Sequence, residues 1–198
     1  MPELLIATRN IGKVREIKEL LKGSDYKVTS LLDYSRMPEV EETGRTFAAN
    51  AILKAASIAQ FTKKLTVGED SGLEVKALGN QPGVYSARYA GKNKNDQKNN
   101  AKLVHALKKV SPNKRQARYR CCMALADGKR VIGVVNGSCG GMITTRAKGK
   151  NGFGYDPLFL IPKYGKTFGE LDPTIKAKMS HRARALAKLQ KLLKSYTK

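Results

Sequence analysis

Glu69-Asp70 close the apolar run Leu65-Thr66-Val67-Gly68, so two carboxylates stand at the carboxyl end of a β-rich segment. Open α/β sheets place their ligands there. Hard cations such as Mg²⁺ take oxygen ligands, and Mg²⁺ is held by one or two carboxylates together with phosphate oxygens and water. A second acidic pair, Glu41-Glu42, lies in the polar loop 38–44, where a metal ligand and a solvated loop are both open readings. Strand alternation puts Glu69 and Asp70 on opposite faces unless a turn at Ser71-Gly72 twists the strand end. Thr8-Arg9-Asn10-Ile11-Gly12-Lys13 falls between an apolar run and a segment of helical periodicity. The first N–H groups of a helix and its dipole suit phosphate, and Lys13 opposes that dipole unless an anion is bound. The segment is not a Walker A loop, which needs Gly in place of Ala7 and Ser or Thr in place of Val14. A purely structural turn carrying a lysine also accounts for it.

Further residues carry possible chemistry downstream. Asn50 and Lys54 share one helix face at i, i+4, although an exposed lysine is the plainer reading. Asn151-Gly152-Phe153-Gly154-Tyr155-Asp156-Pro157 offers glycines for close backbone approach, an aromatic face for a base, and a carboxylate acceptor. A tight turn with a buried Phe153 is the competing account. Lys176 and Ser180-His181-Arg182 bring donors to the start of a final basic helix.

The elements that must position these groups follow from periodicity. Leu4 to Thr8 reads as a strand, Ile11 to Leu21 as a helix, Val28 to Leu31 as a strand, and Thr46 as the N-cap of an Ala-rich helix from Phe47 to Phe61. Leu65 to Asp70 is a strand, followed by the Ser71-Gly72 turn and a short strand Leu73 to Val75. Asp96 to Val110 is a helix. Gln116 to Ala126 and Arg130 to Ser138, joined at Asp127-Gly128, form a long antiparallel hairpin. Leu158 to Ile161 is a short strand, and a basic helix runs from Ile175 or Ser180 to Tyr196. This order implies an α/β fold with a mixed sheet, read as one domain over 1–198 because no linker separates two folds.

The 198 residues are 41% hydrophobic and 27% charged, with no repeat or low-complexity tract, which excludes disordered and fibrous classes. No apolar run is long enough for a membrane span and the N-terminus lacks a secretory signal, so a soluble cytoplasmic protein with no membrane partner is expected. The three cysteines, Cys121, Cys122 and Cys139, have no CxxC spacing and read as reduced, buried strand residues. Net charge is +22, and residues 100–198 hold 22 basic against 4 acidic side chains. Such a field favours anionic partners.

Six motifs, TRNIGK, ETGRTFAANAILKA, GEDSGL, PGVYSARYAG, GFGYDPLF and SHRARAL, occur in order nearly end to end. Together they closely resemble the inosine/xanthosine triphosphate pyrophosphatase family. The resemblance implies an elongated mixed α/β fold with two lobes around a central nucleotide-binding cleft, normally a homodimer. It implies Mg²⁺-dependent hydrolysis of non-standard purine nucleoside triphosphates (ITP, dITP, XTP) to monophosphate and pyrophosphate, with no specific nucleic-acid partner. By the same resemblance, Thr8, Arg9, Asn10, Ile11, Gly12 and Lys13 bind phosphate, Lys54 adds a phosphate contact, and Asn50 and Ser71 face substrate. Glu42 and Asp70 hold the metal, Asp70 also accepting a proton from the attacking water. Phe153, Gly154, Tyr155, Asp156, Lys176, His181 and Arg182 form the base pocket. The family more often has Asp-Asp where this chain has Glu69-Asp70. The alternative is a basic nucleic-acid-binding protein without hydrolase activity, against which stand the absence of Trp and of any RNP, zinc-finger or helix-turn-helix signature.

Overall fold

The computed structural model describes residues 1–196. The chain forms a mixed eight-stranded sheet with flanking helices, in the order β2-β1-β3-β5-β6-β7-β8 with β4 paired to β3. It divides into two compact units. One comprises Met1–Asp70, Cys121–Gly137 and the segment from His181; the other comprises Ser71–Arg120 and Ser138–Ser180.

In the first unit, β1 (Glu3–Ile6) lies parallel to β2 (Lys27–Ser30), with Glu3 opposite Lys27 and Ile6 opposite Ser30. It is also parallel to β3 (Thr66–Val75), with Leu5 opposite Thr66. Parallel neighbours require crossovers, which α1 (Ile11–Leu20) and α2 (Phe47–Thr62) supply. Thr46 caps α2 by accepting the Ala49 N–H at 3.1 Å. The helix can lie close to β3 because residue 68 has no side chain: a Cβ there would sit 2.1 Å from the Ala51 carbonyl oxygen and 2.5 Å from the Ala55 nitrogen. The core gathers Leu4, Ile6, Ile17, Met123, Leu186 and Leu189, from β1, α1, β5 (Gln116–Asp127) and α5 (His181–Tyr196).

In the second unit, the last residues of β3 pair antiparallel with β4 (Gln81–Pro82). Asn95 caps α3 (Asp96–Ala106), and β6 (Arg130–Ile143) ends against β7 (Phe159–Ile161), which pairs with β8 (Lys166–Thr167). An aromatic cluster fills this core: the Tyr119 and Phe159 rings are 4.6 Å apart and those of Phe159 and Phe168 5.3 Å. Helix α4 (Pro173–Met179) completes it.

The hairpin, the cap at Thr46 and the three buried, unbridged cysteines match expectation. Two expectations are corrected, and one left between two alternatives is decided. Ser71-Gly72 is no turn, since β3 runs unbroken through both residues, and Leu73 N–H donates to Ser86 Oγ at 2.9 Å. Of the two starts expected for the basic C-terminal helix, the one at Ser180 holds: α5 begins at His181, and Ser180, at an extended ψ of 161°, separates it from α4. The helix from Asp96 stops at Ala106, because Leu107 leaves helical geometry at ψ 4° and residues 107–110 wind into tight turns.

Candidate active site

The turn between β1 and α1 is built by its own side chains. Thr8 Oγ1 accepts the Asn10 N–H at 3.2 Å, and Asn10 Oδ1 caps α1 by accepting the Lys13 N–H at 3.0 Å. The first-turn donors are therefore not all free, as the helix-end argument assumed: Asn10 takes one of them, leaving Ile11 and Gly12 as the N–H groups at the tip. Arg9 donates to the carbonyls of Leu31 at 3.3 Å and Met37 at 3.5 Å, so its guanidinium ties down the following loop. The Ile11 side chain is exposed. Lys13 reaches back to β3, where its Nζ lies 2.7 Å from Glu69 Oε2.

On the neighbouring position of the same strand, Asp70 meets α2. Asn50 Nδ2 donates to Asp70 Oδ2 at 3.0 Å, while Asn50 Oδ1 accepts the Gly44 N–H at 2.8 Å, which fixes the amide and pins the acidic loop to the helix. Lys54 Nζ lies 3.2 Å from Asp70 Oδ1 and 3.2 Å from Glu42 Oε1. Lys13, Glu42, Asn50, Lys54, Glu69 and Asp70 thus come together within one compact unit.

The adjacent carboxylates differ in electrostatics. Burial raises the Asp70 pKa above its ordinary 3.8, and the Glu42 charge adds to this against the opposing pull of Lys54 and Lys13. Burial also works against ionisation of Glu69, but Lys13, Arg182 and Lys54 outweigh it and hold that carboxyl well below its ordinary value. Lys13 is pushed down by burial and more strongly up by Glu69 and Asp70, so its ammonium is secured.

Two carboxylates from separate segments meet at one ammonium, and this oxygen donor set fits a hard cation. Among the described residues no three His, Cys, Asp or Glu side chains form a metal-holding group. An ion at Glu42 and Asp70 would complete its shell with water and phosphate oxygens, as Mg²⁺ does. Glu41 is exposed.

The second unit carries a different arrangement. Asp156 Oδ2 accepts the Phe153 N–H at 2.9 Å and pairs with Lys176 Nζ at 2.5 Å. That ammonium stands 5.1 Å from the Phe153 ring centroid and 5.5 Å from that of Phe168. Gly152, at φ 77°, admits the carboxylate, since a Cβ there would lie 2.0 Å from Asp156 Oδ2. The Gly154 N–H donates to Asp96 at 2.8 Å. The Tyr155 ring turns into the core and its hydroxyl donates to the Ser86 carbonyl at 2.8 Å, so the side chain fastens the loop. Ser71 begins this unit and is half-buried.

Phe153, Asp156 and Lys176 belong to the second unit, while His181 and Arg182 open α5 in the first. Both are buried. The Arg182 guanidinium pairs with Glu16 of α1 and, at 3.0 Å, with Glu69 Oε1. Cys121 Sγ donates to the same Glu69 oxygen at 3.3 Å. Sequence reasoning missed Glu16 and Cys121. Glu16 had one signal, its i+3 spacing from Lys13; Cys121 had none, its partner being 52 residues away.

Comparison with known proteins places these groups in context. A relative from Desulforamulus reducens, called a dITP/XTP pyrophosphatase, is 50% identical over 96% of this chain and 95% of its own. A protein of the same description from Bacillus subtilis is 46% identical over 98% of each. Among solved structures, a HAM1 protein from Coxiella burnetii superposes with a TM-score of 0.88 at 39% identity, covering 98% of this chain and 100% of that one. The Staphylococcus aureus Ham1 protein gives 0.86 at 39%, over 98% and 99%. These relatives lend no support to a nucleic-acid-binding protein without hydrolase activity. The Ham1 family model spans residues 4–192, which include every site residue described above, and the chain belongs to the Ham1 family.

Proposed function

We propose that this chain hydrolyses non-standard purine nucleoside triphosphates (ITP, dITP, XTP) to the monophosphate and pyrophosphate, by attack of water at the α-phosphorus. The observation that carries this reading is the cluster of Lys13, Lys54, Glu42 and Asp70 in one unit, in a chain whose relatives are dITP/XTP pyrophosphatases. Phosphoryl transfer asks a protein for positioning and charge neutralisation more than covalent chemistry. Lys13 and the Ile11 and Gly12 N–H groups bind triphosphate oxygens, and Lys54 adds a second ammonium. Glu42 and Asp70 would hold a Mg²⁺ ion, which when bound neutralises phosphate charge and acidifies water. Asp70, kept in orientation by Asn50, aligns the attacking water and accepts its proton; its raised pKa brings it nearer the strength a general base needs.

Purine recognition is assigned to the second unit, where the Phe153 ring stacks on the base and Lys176, oriented by Asp156, donates to a 6-keto oxygen. Against adenine, whose 6-amino group is itself a donor, the N–H of this ammonium aimed at the base would meet a donor instead of an acceptor, at a cost of about 1–3 kcal/mol. We take the acting form to be a cytoplasmic homodimer, which light scattering on the purified chain checks.

The test is product analysis with ITP, dITP, XTP, GTP and ATP, with and without Mg²⁺. The expected result is monophosphate and pyrophosphate from the first three, dependent on the ion. Release of orthophosphate, or equal turnover of ATP, would overturn the proposal.

A further inference from the structure

Glu69 differs from its neighbour in being ion-paired on both carboxylate oxygens, whereas Asp70 is ion-paired on one and accepts the Asn50 amide on the other. Oε2 meets Lys13 Nζ at 2.7 Å, and Oε1 meets Arg182 at 3.0 Å and the Cys121 thiol at 3.3 Å. Its side chain is 0% exposed, whereas that of Lys13 is 16% exposed, so an incoming anion can meet the ammonium but not the carboxylate beneath it. The guanidinium behind it is 1% exposed and is braced by Glu16 from α1. Two cations and two carboxylates therefore alternate in a chain that links α1, the interior of β3 and the start of α5, all within one unit. By contrast, Asp70 turns to α2 and shares Lys54 with Glu42.

We infer that Glu69 is the positioning residue for Lys13 and holds no metal, and that Arg182 with Glu16 acts on Lys13 through Glu69. The inference rests on reading Lys13 as a triphosphate contact. A lysine is a point charge on a flexible four-carbon stem and has no preferred direction of its own. A buried carboxylate fixed from behind by a planar, always charged guanidinium supplies that direction before substrate arrives. Neither Glu69 nor Arg182 needs to touch substrate for this.

Two measurements on the full chain test it. The first is lysine labelling by acetic anhydride without nucleotide, read peptide by peptide by mass spectrometry. Releasing Lys13 from a charge-assisted pair should raise its labelling rate about tenfold in Glu69→Gln and several-fold in Arg182→Lys, while Lys64, held by Glu3 elsewhere in the unit, is unchanged. The second is steady-state kinetics with dITP at varied Mg²⁺. Glu69→Gln should raise KM about tenfold with kcat within about threefold of wild type and half-activation by Mg²⁺ unmoved, and adding it to Lys13→Ala should cost nothing further. A shifted Mg²⁺ requirement, an effect on kcat alone, multiplicative effects in the double variant, or unchanged Lys13 labelling in folded Glu69→Gln would each overturn the inference. Should Glu69→Gln not fold, Glu16→Gln, at the more exposed end of the chain, must raise Lys13 labelling, and no rise would likewise overturn it. Labelling needs no turnover, so a wild-type chain inert toward dITP would count against the proposed function alone.

Discussion

Each unit contains a buried aspartate paired with a helix lysine, and the two pairs are built to opposite ends. Asp156 and Lys176 meet at 2.5 Å, with the lysine packed over two phenylalanine rings, so the pair is balanced in charge. Asp70 and Lys54 stand at 3.2 Å with Glu42 on the same ammonium, and burial, with the Glu42 charge adding to it, raises the Asp70 pKa. One carboxylate on one ammonium holds a shape, whereas two carboxylates meeting at one ammonium also present oxygens that suit a cation. Residue types alone do not distinguish them; the count of neighbours around each lysine does.

The comparison breaks most sharply at Asp70→Asn. Turnover should fall about a thousandfold, the scale of a lost general base. The folded protein should nevertheless melt no lower at pH 7. A carboxyl whose folded pKa lies above its unfolded value stabilises the fold less as pH rises through that interval, so removing its charge is favourable at neutral pH and neutral below about 3.8. Asp156→Asn should instead lower the melting temperature by leaving Lys176 without its counter-charge, and equal melting behaviour of the two variants would erase the distinction.

Truncating the lysines comes next. Lys176→Met and Lys54→Met each strand buried carboxylate and should each cost about 3–5 kcal/mol in denaturant titration. Millimolar Mg²⁺ should restore much of the loss at residue 54, where two carboxylates remain, and none at residue 176. Smaller again is Phe153→Ala, expected to raise KM for dITP about tenfold through lost stacking while leaving the affinity for inorganic pyrophosphate unchanged. Smallest is Thr46→Ala, which removes the α2 cap for about 1 kcal/mol and should fray the Asp70 side of the comparison without touching the other.

What could be read from the chain divides along the range of the forces involved. Thr46, the Asp127-Gly128 turn and the strand-to-helix turn at residues 8–13 are local, and their chemistry is visible in a few residues. The unbroken β3 was not visible, since Ser71-Gly72 has turn composition and only pairing with distant strands holds it extended. The break at Ser180 was half visible, as one of two expected starting points for the last helix. At the site, Lys54 and Asn50 could be placed on one face from spacing, but not Asn50's grip on both Gly44 and Asp70. The partnership of Glu69 with Arg182 spans 113 residues and leaves no trace in either neighbourhood. The motif resemblance located Arg182 in the chain, and only the folded structure shows it on two carboxylates.

The path of the chain has a practical corollary. Its passages from one unit to the other fall at 70/71, 120/121, 137/138 and 180/181, and the first three lie inside the uninterrupted strands β3, β5 and β6. No single cut of the gene therefore yields either unit whole. Anyone wishing to express one unit without the other would have to rejoin segments in a new order, and simple truncations from either terminus should be insoluble rather than half-active.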